Sequence, residues 1–274
     1  MDKLFAFIYG GNMNNINKTL YIPLYGKAFV SKKGILLCDK KAEEIWDKEG
    51  FPLKGKSKSK WLAYYMGMRS AVFDAWLRKK RSSLDDSIVI HLGCGMDSRI
   101  ERVGTGNNHW YDIDFPEVIQ ERKKYYSENE YYHMVESDIR DTNWLLNLPK
   151  EKNPIIVMEG VSMYLSLEEL KKTLTDIQKY FGKLYLLMDC YTALGAKLSK
   201  YKNPINDVGV TLVYGMDDPK KLEENTGLSF VCEHEMTPDV FVDELRGMEK
   251  TLFRKLYGGK ISKKMYRLYE YENL

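Results

Sequence analysis

The stretch Ile88-Val89-Ile90-His91-Leu92-Gly93-Cys94-Gly95-Met96-Asp97-Ser98-Arg99 decides the fold. It opens with a short apolar run of the kind a buried strand makes and ends in a Gly-x-Gly turn. A backbone without Cβ atoms at Gly93 and Gly95 can approach a bound molecule closely. The next residues should begin a helix whose N-terminus offers free amides. The third glycine of a dinucleotide-binding G-x-G-x-x-G is absent, because Ser98 stands in its place. A nicotinamide site wants glycine there for close packing beneath a pyrophosphate. A tight turn alone would give the same Gly-x-Gly, so its neighbours decide how to read it.

Downstream, residues 109–114 (His-Trp-Tyr-Asp-Ile-Asp) read as a second strand, and Pro116 sits where a first helical turn would be, followed by Val118, Ile119 and Arg122. Residues 131–135 form a third strand and residues 155–158 a fourth, preceded by Pro154. Ser166 and Glu169 make a capping box ahead of Leu170, Leu174 and Ile177, and Gly182 stops that helix. Residues 184–188 are apolar throughout, as buried parallel strands are. This alternation from residue 88 to about 190 predicts a parallel sheet with helices on both faces. Residues 228–232 and 265–271 would add an antiparallel pair at its edge.

Upstream, Trp61, Tyr65, Met68, Val72 and Trp76 recur at helical spacing, with Arg69 inside that apolar stripe. A buried guanidinium there needs a partner. Residues 1–60 are polar and broken by Gly10-Gly11, Pro23, Gly26, Gly34 and Pro52. Short helices and loops without their own sheet are expected, a cap over 1–60 ahead of a main domain over 61–274.

The chain has 274 residues, ample for one large α/β domain with a cap, and 44% hydrophobic against 30% charged residues gives a buried core with a soluble surface. The 42 basic and 39 acidic residues leave a net charge of only +3, against nucleic acid as the main ligand. The lysines of residues 54–60 lack interleaved aromatics and read as a solvated loop. Cys38, Cys94, Cys190 and Cys232 form no C-x-x-C pair, and with four scattered histidines give no metal-ligand spacing, so no metal is expected. Residues 4–9 are too short for a signal segment and no apolar run approaches a membrane span, so a cytoplasmic protein with reduced thiols is expected.

In an open parallel sheet, ligands bind beyond the carboxyl ends of the strands. Each such end here carries a polar feature: Gly93 and Gly95 after the first strand, Asp112 and Asp114 at the second, Ser137-Asp138-Ile139-Arg140-Asp141 after the third, and Glu159-Gly160 after the fourth. Asp112 and Asp114 lie 19 and 21 residues after Gly93 and share one strand face. One would accept hydrogen bonds from both ribose hydroxyls of a cofactor, and the other could cap the helix at Pro116. Asp138 and the Ile139 backbone suit an adenine ring, and Glu159 suits a sulfonium or ammonium.

Four segments, LGCGMDSR at 92–99, DIDFPEVI at 112–119, SDIRD at 137–141 and MEGVSMYL at 158–165, resemble the leucine carboxyl methyltransferase family and its bacterial polyketide O-methyltransferase branch. MRSAVFDAW around Arg69 and TLYIPLYGKAF at 19–29 extend the similarity. The resemblance implies a class I methyltransferase fold: a Rossmann-like α/β, seven-stranded, mostly parallel sheet with an N-terminal helical cap. It implies S-adenosyl-methionine as cofactor, S-adenosyl-homocysteine as product and no metal. Arg69 would pair with the cofactor's carboxylate, Asp114 hold its ribose, Asp138 and Ile139 its adenine, and Glu159 its methionyl end. Gly93, Cys94 and Gly95 would form the cofactor loop, with Lys27 reaching in from the cap. Ser98 stands where family loops often carry threonine, which keeps the hydroxyl. No clear protein-docking segment is present, which favours a small-molecule acceptor over a protein carboxyl terminus.

Methyl transfer is an in-line displacement at an already activated carbon, so the protein mainly aligns the acceptor, a hydroxyl or a carboxylate. Tyr164 would line the acceptor pocket, with Tyr191 and Tyr201 as further aromatics. His91 lies within the first strand and reads as a core histidine; Cys94 reads as a backbone contact, since this chemistry needs no protein nucleophile. The rival readings are a protein carboxyl methyltransferase, a nicotinamide-dependent oxidoreductase and a cofactor-binding protein without catalysis. Ser98 and the Asp-Phe-Pro unit at 114–116 count against the second.

Overall fold

The computed structural model describes residues 12–50, 53, 55–150, 152–199 and 213–273. Residues 4–9, Gly10-Gly11, Pro52, Lys54 and Tyr201, all invoked above, lie outside them. Among the described residues three α-helices come first: α1 (Asn12–Lys32), α2 (Lys40–Glu49) and α3 (Lys60–Ser82). Strand β1 (Ser87–Leu92) follows, then α4 (Arg99–Val103), β2 (Trp110–Asp114), α5 (Pro116–Arg122), β3 (Tyr132–Glu136) and β4 (Asn153–Met158). The chain continues through α6 (Leu167–Phe181), β5 (Leu184–Tyr191), α7 (Ala193–Ser199), β6 (Ser229–His234), α8 (Asp239–Val242), α9 (Gly247–Tyr257), α10 (Gly259–Met265) and β7 (Tyr266–Asn273).

Among the described residues the strands form one seven-stranded sheet in the order β3-β2-β1-β4-β5-β7-β6. β1 pairs in parallel with both β2 and β4, while β7 runs antiparallel to β5 and β6. This is the class I methyltransferase arrangement expected above. The chain leaves β1 in one direction, through β2 and β3, and returns on its other side as β4. The switch point therefore lies between β1 and β4, where a crevice forms beyond the strand ends.

The period of two divides the core. Ile88, Ile90, Leu92, Ile156, Met158, Leu186 and Met188 pack against α6 on one face, and Val89, Trp110, Ile155, Val157 and Leu187 pack on the other. The second face carries α1 and α3: Ile22, Leu24 and Ala28 of α1, with Ala63, Phe73 and Leu77 of α3, belong to its cluster.

α1 departs from the expected short helices. It runs unbroken through Pro23, because buried Tyr21, Ile22, Leu24, Tyr25, Ala28 and Val30 outweigh the missing rung of the hydrogen-bond ladder. Gly26 lets α1 approach α3 closely, since a Cβ there would stand 2.8 Å from Met66 Cβ. At the other sequence signals, Ser166 and Glu169 make their reciprocal capping box and Pro116 opens α5. The helix expected directly after the glycine loop begins only at Arg99 and runs five residues. No described helix is long and apolar enough to cross a membrane.

Candidate functional site

The loops after β1 and β4 meet at the switch point. Gly93 has φ +67°, in the region that favours glycine, and a Cβ built there would run into the Val161 side chain. A cavity of about 690 Å³ opens beside these loops, within the usual range for small-molecule sites. It brings together Lys27, Arg69, Gly93, Cys94, Gly95, Asp114, Ile139, Glu159 and Tyr164, nine of the ten residues marked in the sequence. Asp138 does not line it; Arg140 holds the Asp138 carboxylate through Nε at 3.0 Å and through its own amide at 3.0 Å. The neighbours of Asp138, Ser137 and Ile139, do line the cavity. Tyr191 lines it as well.

Asp112 and Asp114 divide their tasks differently from the sequence reading. Asp112 caps no helix, and α5 has no side-chain cap. Asp112 is fully buried beneath the cavity, where it accepts from Trp110 Nε1 at 2.8 Å and Tyr132 Oη at 2.6 Å and pairs with Arg122 at 2.5 Å. Burial would raise its pKa, but Arg122 and His91 outweigh that and hold it at about 2. Arg122 also donates to the Gly95 carbonyl at 3.0 Å, so Asp112 supports the glycine loop indirectly. Asp114 faces the cavity and accepts from the amides of Gly95 and Phe115, each at 2.8 Å. Burial pushes its carboxyl up to about 6, with those amides pulling the other way.

Arg69 finds its partners within the protein. Its Nε donates to Glu159 at 3.0 Å, and its Nη1 donates to Asp189 at 2.9 Å and Tyr266 Oη at 3.3 Å. Among the described residues these bonds leave Nη2 without a partner, on a residue that lines the cavity. Glu159 also accepts from Ser70 Oγ at 2.9 Å and from Arg99 Nη2. Burial works against its charge, but Arg69, Arg99 and Lys27 hold it at about 2. Asp189 rises to about 6, through burial first and despite Arg69.

Beneath the loop, a buried ion network ties the cap to the sheet. Lys27 meets Asp97 at 2.9 Å, and Arg102 reaches Asp97 at 2.9 Å, Asp39 at 2.6 Å and Asp74 at 2.6 Å. Ser98 spends its hydroxyl on both oxygens of Asp39. Arg99, with no exposed surface, bonds Asp74 at 2.8 Å and stands 3.2 Å from His91 Nε2. Burial lowers the pKa of His91, which favours the neutral ring, and raises that of the Cys94 thiol, which disfavours the thiolate.

Asp189, Asp97 and Arg99 escaped the sequence reading as site residues. Asp189 had a visible signal, an acid directly after the apolar run 184–188. Asp97 and Arg99 lay in the decisive stretch but carried no spacing that named their partners.

The leucine carboxyl methyltransferase family model matches residues 14–178. The tetracenomycin polyketide synthesis O-methyltransferase TcmP of Streptomyces glaucescens is 24% identical over 241 residues, 87% of this chain and 89% of its own. The S-adenosyl-L-methionine-dependent methyltransferase dpfgK of Gibberella zeae is 30% identical over 158 residues, 52% of this chain and 53% of its own. In fold, the chain matches a duf574 family protein from Streptomyces avermitilis with TM-score 0.56 at 10% identity, covering 86% of this chain and 90% of that one. Magnesium protoporphyrin IX methyltransferase from Synechocystis with bound SAH gives TM-score 0.50 at 13% identity, covering 86% and 93%. Sheet order, switch-point cavity and family match together define an S-adenosyl-methionine-dependent methyltransferase of class I. The chain belongs to the leucine carboxyl methyltransferase family.

Proposed function

We propose that the protein transfers a methyl group from S-adenosyl-methionine to an oxygen of a small aromatic, polyketide-like molecule. One observation carries this reading: a single cavity holds both charged and aromatic groups. Lys27, Arg69, Asp97, Asp114 and Glu159 line it with the glycine loop, and Leu62, Tyr65, Met163, Tyr164, Tyr191 and Tyr266 line it as well. The charged groups suit an amino acid and a ribose, and the tyrosines suit a flat ring bearing hydroxyls.

The residues fit the cofactor. Arg69 Nη2 is free to meet its carboxylate, Asp114 its ribose, and Ser137 and Ile139 its adenine, with Gly93 and Gly95 providing close backbone approach. Glu159 and Asp189 pre-orient Arg69, so its position does not depend on a ligand. When bound, the cofactor supplies a methyl carbon activated by a sulfonium. The tyrosines then exclude water and align the acceptor oxygen. Tyr65 donates or accepts with Ser262 at 2.9 Å, and burial pushes its pKa up to about 12, so it stays a hydrogen-bond donor at neutral pH. Transfer would break the sulfur–methyl bond as the carbon–oxygen bond forms, leaving S-adenosyl-homocysteine, and a hydroxyl acceptor would give up its proton to water at the cavity mouth.

A peptide carboxylate acceptor would want a second unpaired cation in the cavity. Lys27 pairs with Asp97, Arg69 pairs with Glu159 and Asp189, and its remaining Nη2 would meet the cofactor's carboxylate. The test is incubation with methyl-labelled S-adenosyl-methionine and two acceptor sets, polyhydroxylated aromatics and peptides ending in leucine. Label in an aromatic methyl ether is the expected result. Label only in peptide methyl esters, or on nitrogen or carbon, would overturn the proposal.

A further inference from the structure

Outside the cavity lining, at the β6–β7 edge of the sheet, Cys232, His234 and Glu270 bring three different donor atoms to one point. Cys232 Sγ lies 3.5 Å from His234 Nε2 and 3.7 Å from Glu270 Oε2, and Nε2 lies 2.7 Å from Oε2. We infer that these three side chains form a binding site for a divalent transition metal of the zinc class.

The backbone builds this convergence. β6 and β7 pair antiparallel as Phe230↔Tyr271 and then Cys232↔Glu270, with a one-residue bulge between. Without the bulge the register would set Cys232 opposite Tyr269, and both Cys232 and His234 would point to the other face. The inserted residue, Val231, turns them onto the face of Glu270. That face lies against α3, where Lys80 Nζ holds Glu270 Oε1 at 2.8 Å and leaves Oε2 to the other two donors.

The shape of the cluster separates a metal site from a catalytic relay. In a thiol–imidazole–carboxylate relay, thiol and acid engage opposite ring nitrogens. Here both meet the same Nε2. Donors about 2.0–2.3 Å from a tetrahedral ion stand about 3.3–3.6 Å apart. Two of the three separations are close to this, and the third needs only a small opening of the imidazole against the carboxylate. One sulfur, one imidazole nitrogen and one carboxylate oxygen suit zinc or cobalt rather than magnesium or calcium. The fourth position would be open to solvent, since Cys232 and His234 are only partly buried. The ion would pin that edge to β7. Cys-x-His on one strand with a glutamate 36 residues later matches none of the familiar ligand spacings, so the site is not legible from spacing.

The test uses the full chain, stripped with a chelator and titrated with Co²⁺. A single equivalent should bind, produce a thiolate-to-cobalt charge-transfer band in the near ultraviolet, and be displaced by Zn²⁺. Cys232→Ser should lose the band and Cys38→Ser, at the exposed thiol, should keep it. His234→Ala should weaken binding at least about tenfold, as even losses outside the ligand set do. In the unmodified chain, Zn²⁺ should protect Cys232 but not Cys38 from alkylation, read by peptide mass spectrometry. No charge-transfer band in the wild type, a band that survives Cys232→Ser, or equal alkylation of Cys232 with and without Zn²⁺ would overturn the inference.

Discussion

Lowering the pH from 8 to 5 should weaken binding of S-adenosyl-homocysteine about tenfold, and Asp114 should be the reason. Its carboxylate faces the cavity and is held by two amides. Only the ionised form can accept from both ribose hydroxyls. Burial pushes the carboxyl up to about 6. At pH 5 roughly one molecule in eleven carries the charge, so affinity falls about tenfold, or ~1.4 kcal/mol. The folding sign runs the other way. Because the native pKa lies above the ordinary 3.8, this group's contribution to stability is full below 3.8 and is lost as pH rises through 6, a cost of about 3 kcal/mol at neutral pH. A bound ribose offsets part of that cost. Asp189 also titrates near 6 but does not line the cavity. Calorimetry on Asp114→Asn separates the two, since the variant should bind more weakly at pH 8 and lose the steep pH dependence. If Asp114→Asn keeps the full tenfold slope, Asp114 is not the titrating group and the reasoning fails.

Gly93→Val should abolish S-adenosyl-homocysteine binding and lower the melting temperature, since it places a branched side chain at positive φ, where a non-glycine residue costs about 1–2 kcal/mol, and against Val161; native-like binding would refute this. Glu159→Gln should destabilise the fold by about 3 kcal/mol in urea unfolding at pH 7, because Arg69 and Arg99 lose a buried partner. Glu159 sits at about 2, below its ordinary 4.5, so its contribution is full above 4.5 and disappears as pH falls through 2; a penalty as large at pH 2 as at pH 7 would contradict the assignment. Tyr164→Phe should cut kcat/KM for an aromatic acceptor about tenfold, one hydrogen bond's worth, with cofactor affinity unchanged; weakened cofactor binding instead would assign Tyr164 to the cofactor and not to the acceptor.

The sheet was legible because its signals were local. Apolar runs ended at glycines, Pro116 and Ser166 opened helices, and the alternation from β1 to β5 implied parallel pairing. α1 was not legible, because Pro23 and Gly26 read as breakers until the close packing on α3 was known. Of the site, residues at strand ends could be found because topology gathers strand ends. The cap's hold on the loop could not. Asp39 reaches Ser98 and Arg102 across about sixty residues of chain, and nothing in either local pattern announces the other. Asp112 and Asp114 show the same limit, since spacing put both on one face and only the position of Arg122 decided which is spent in the core.

The most direct measurement of the central claim is a calorimetric titration of the wild type and Arg69→Ala with S-adenosyl-homocysteine, alongside a nicotinamide cofactor. The wild type should bind the sulfur compound and not the nicotinamide. Arg69→Ala should bind it more than about tenfold less tightly, a loss above ~1.4 kcal/mol. Unchanged affinity in Arg69→Ala, or a wild type that takes the nicotinamide and not the sulfur compound, would contradict the account.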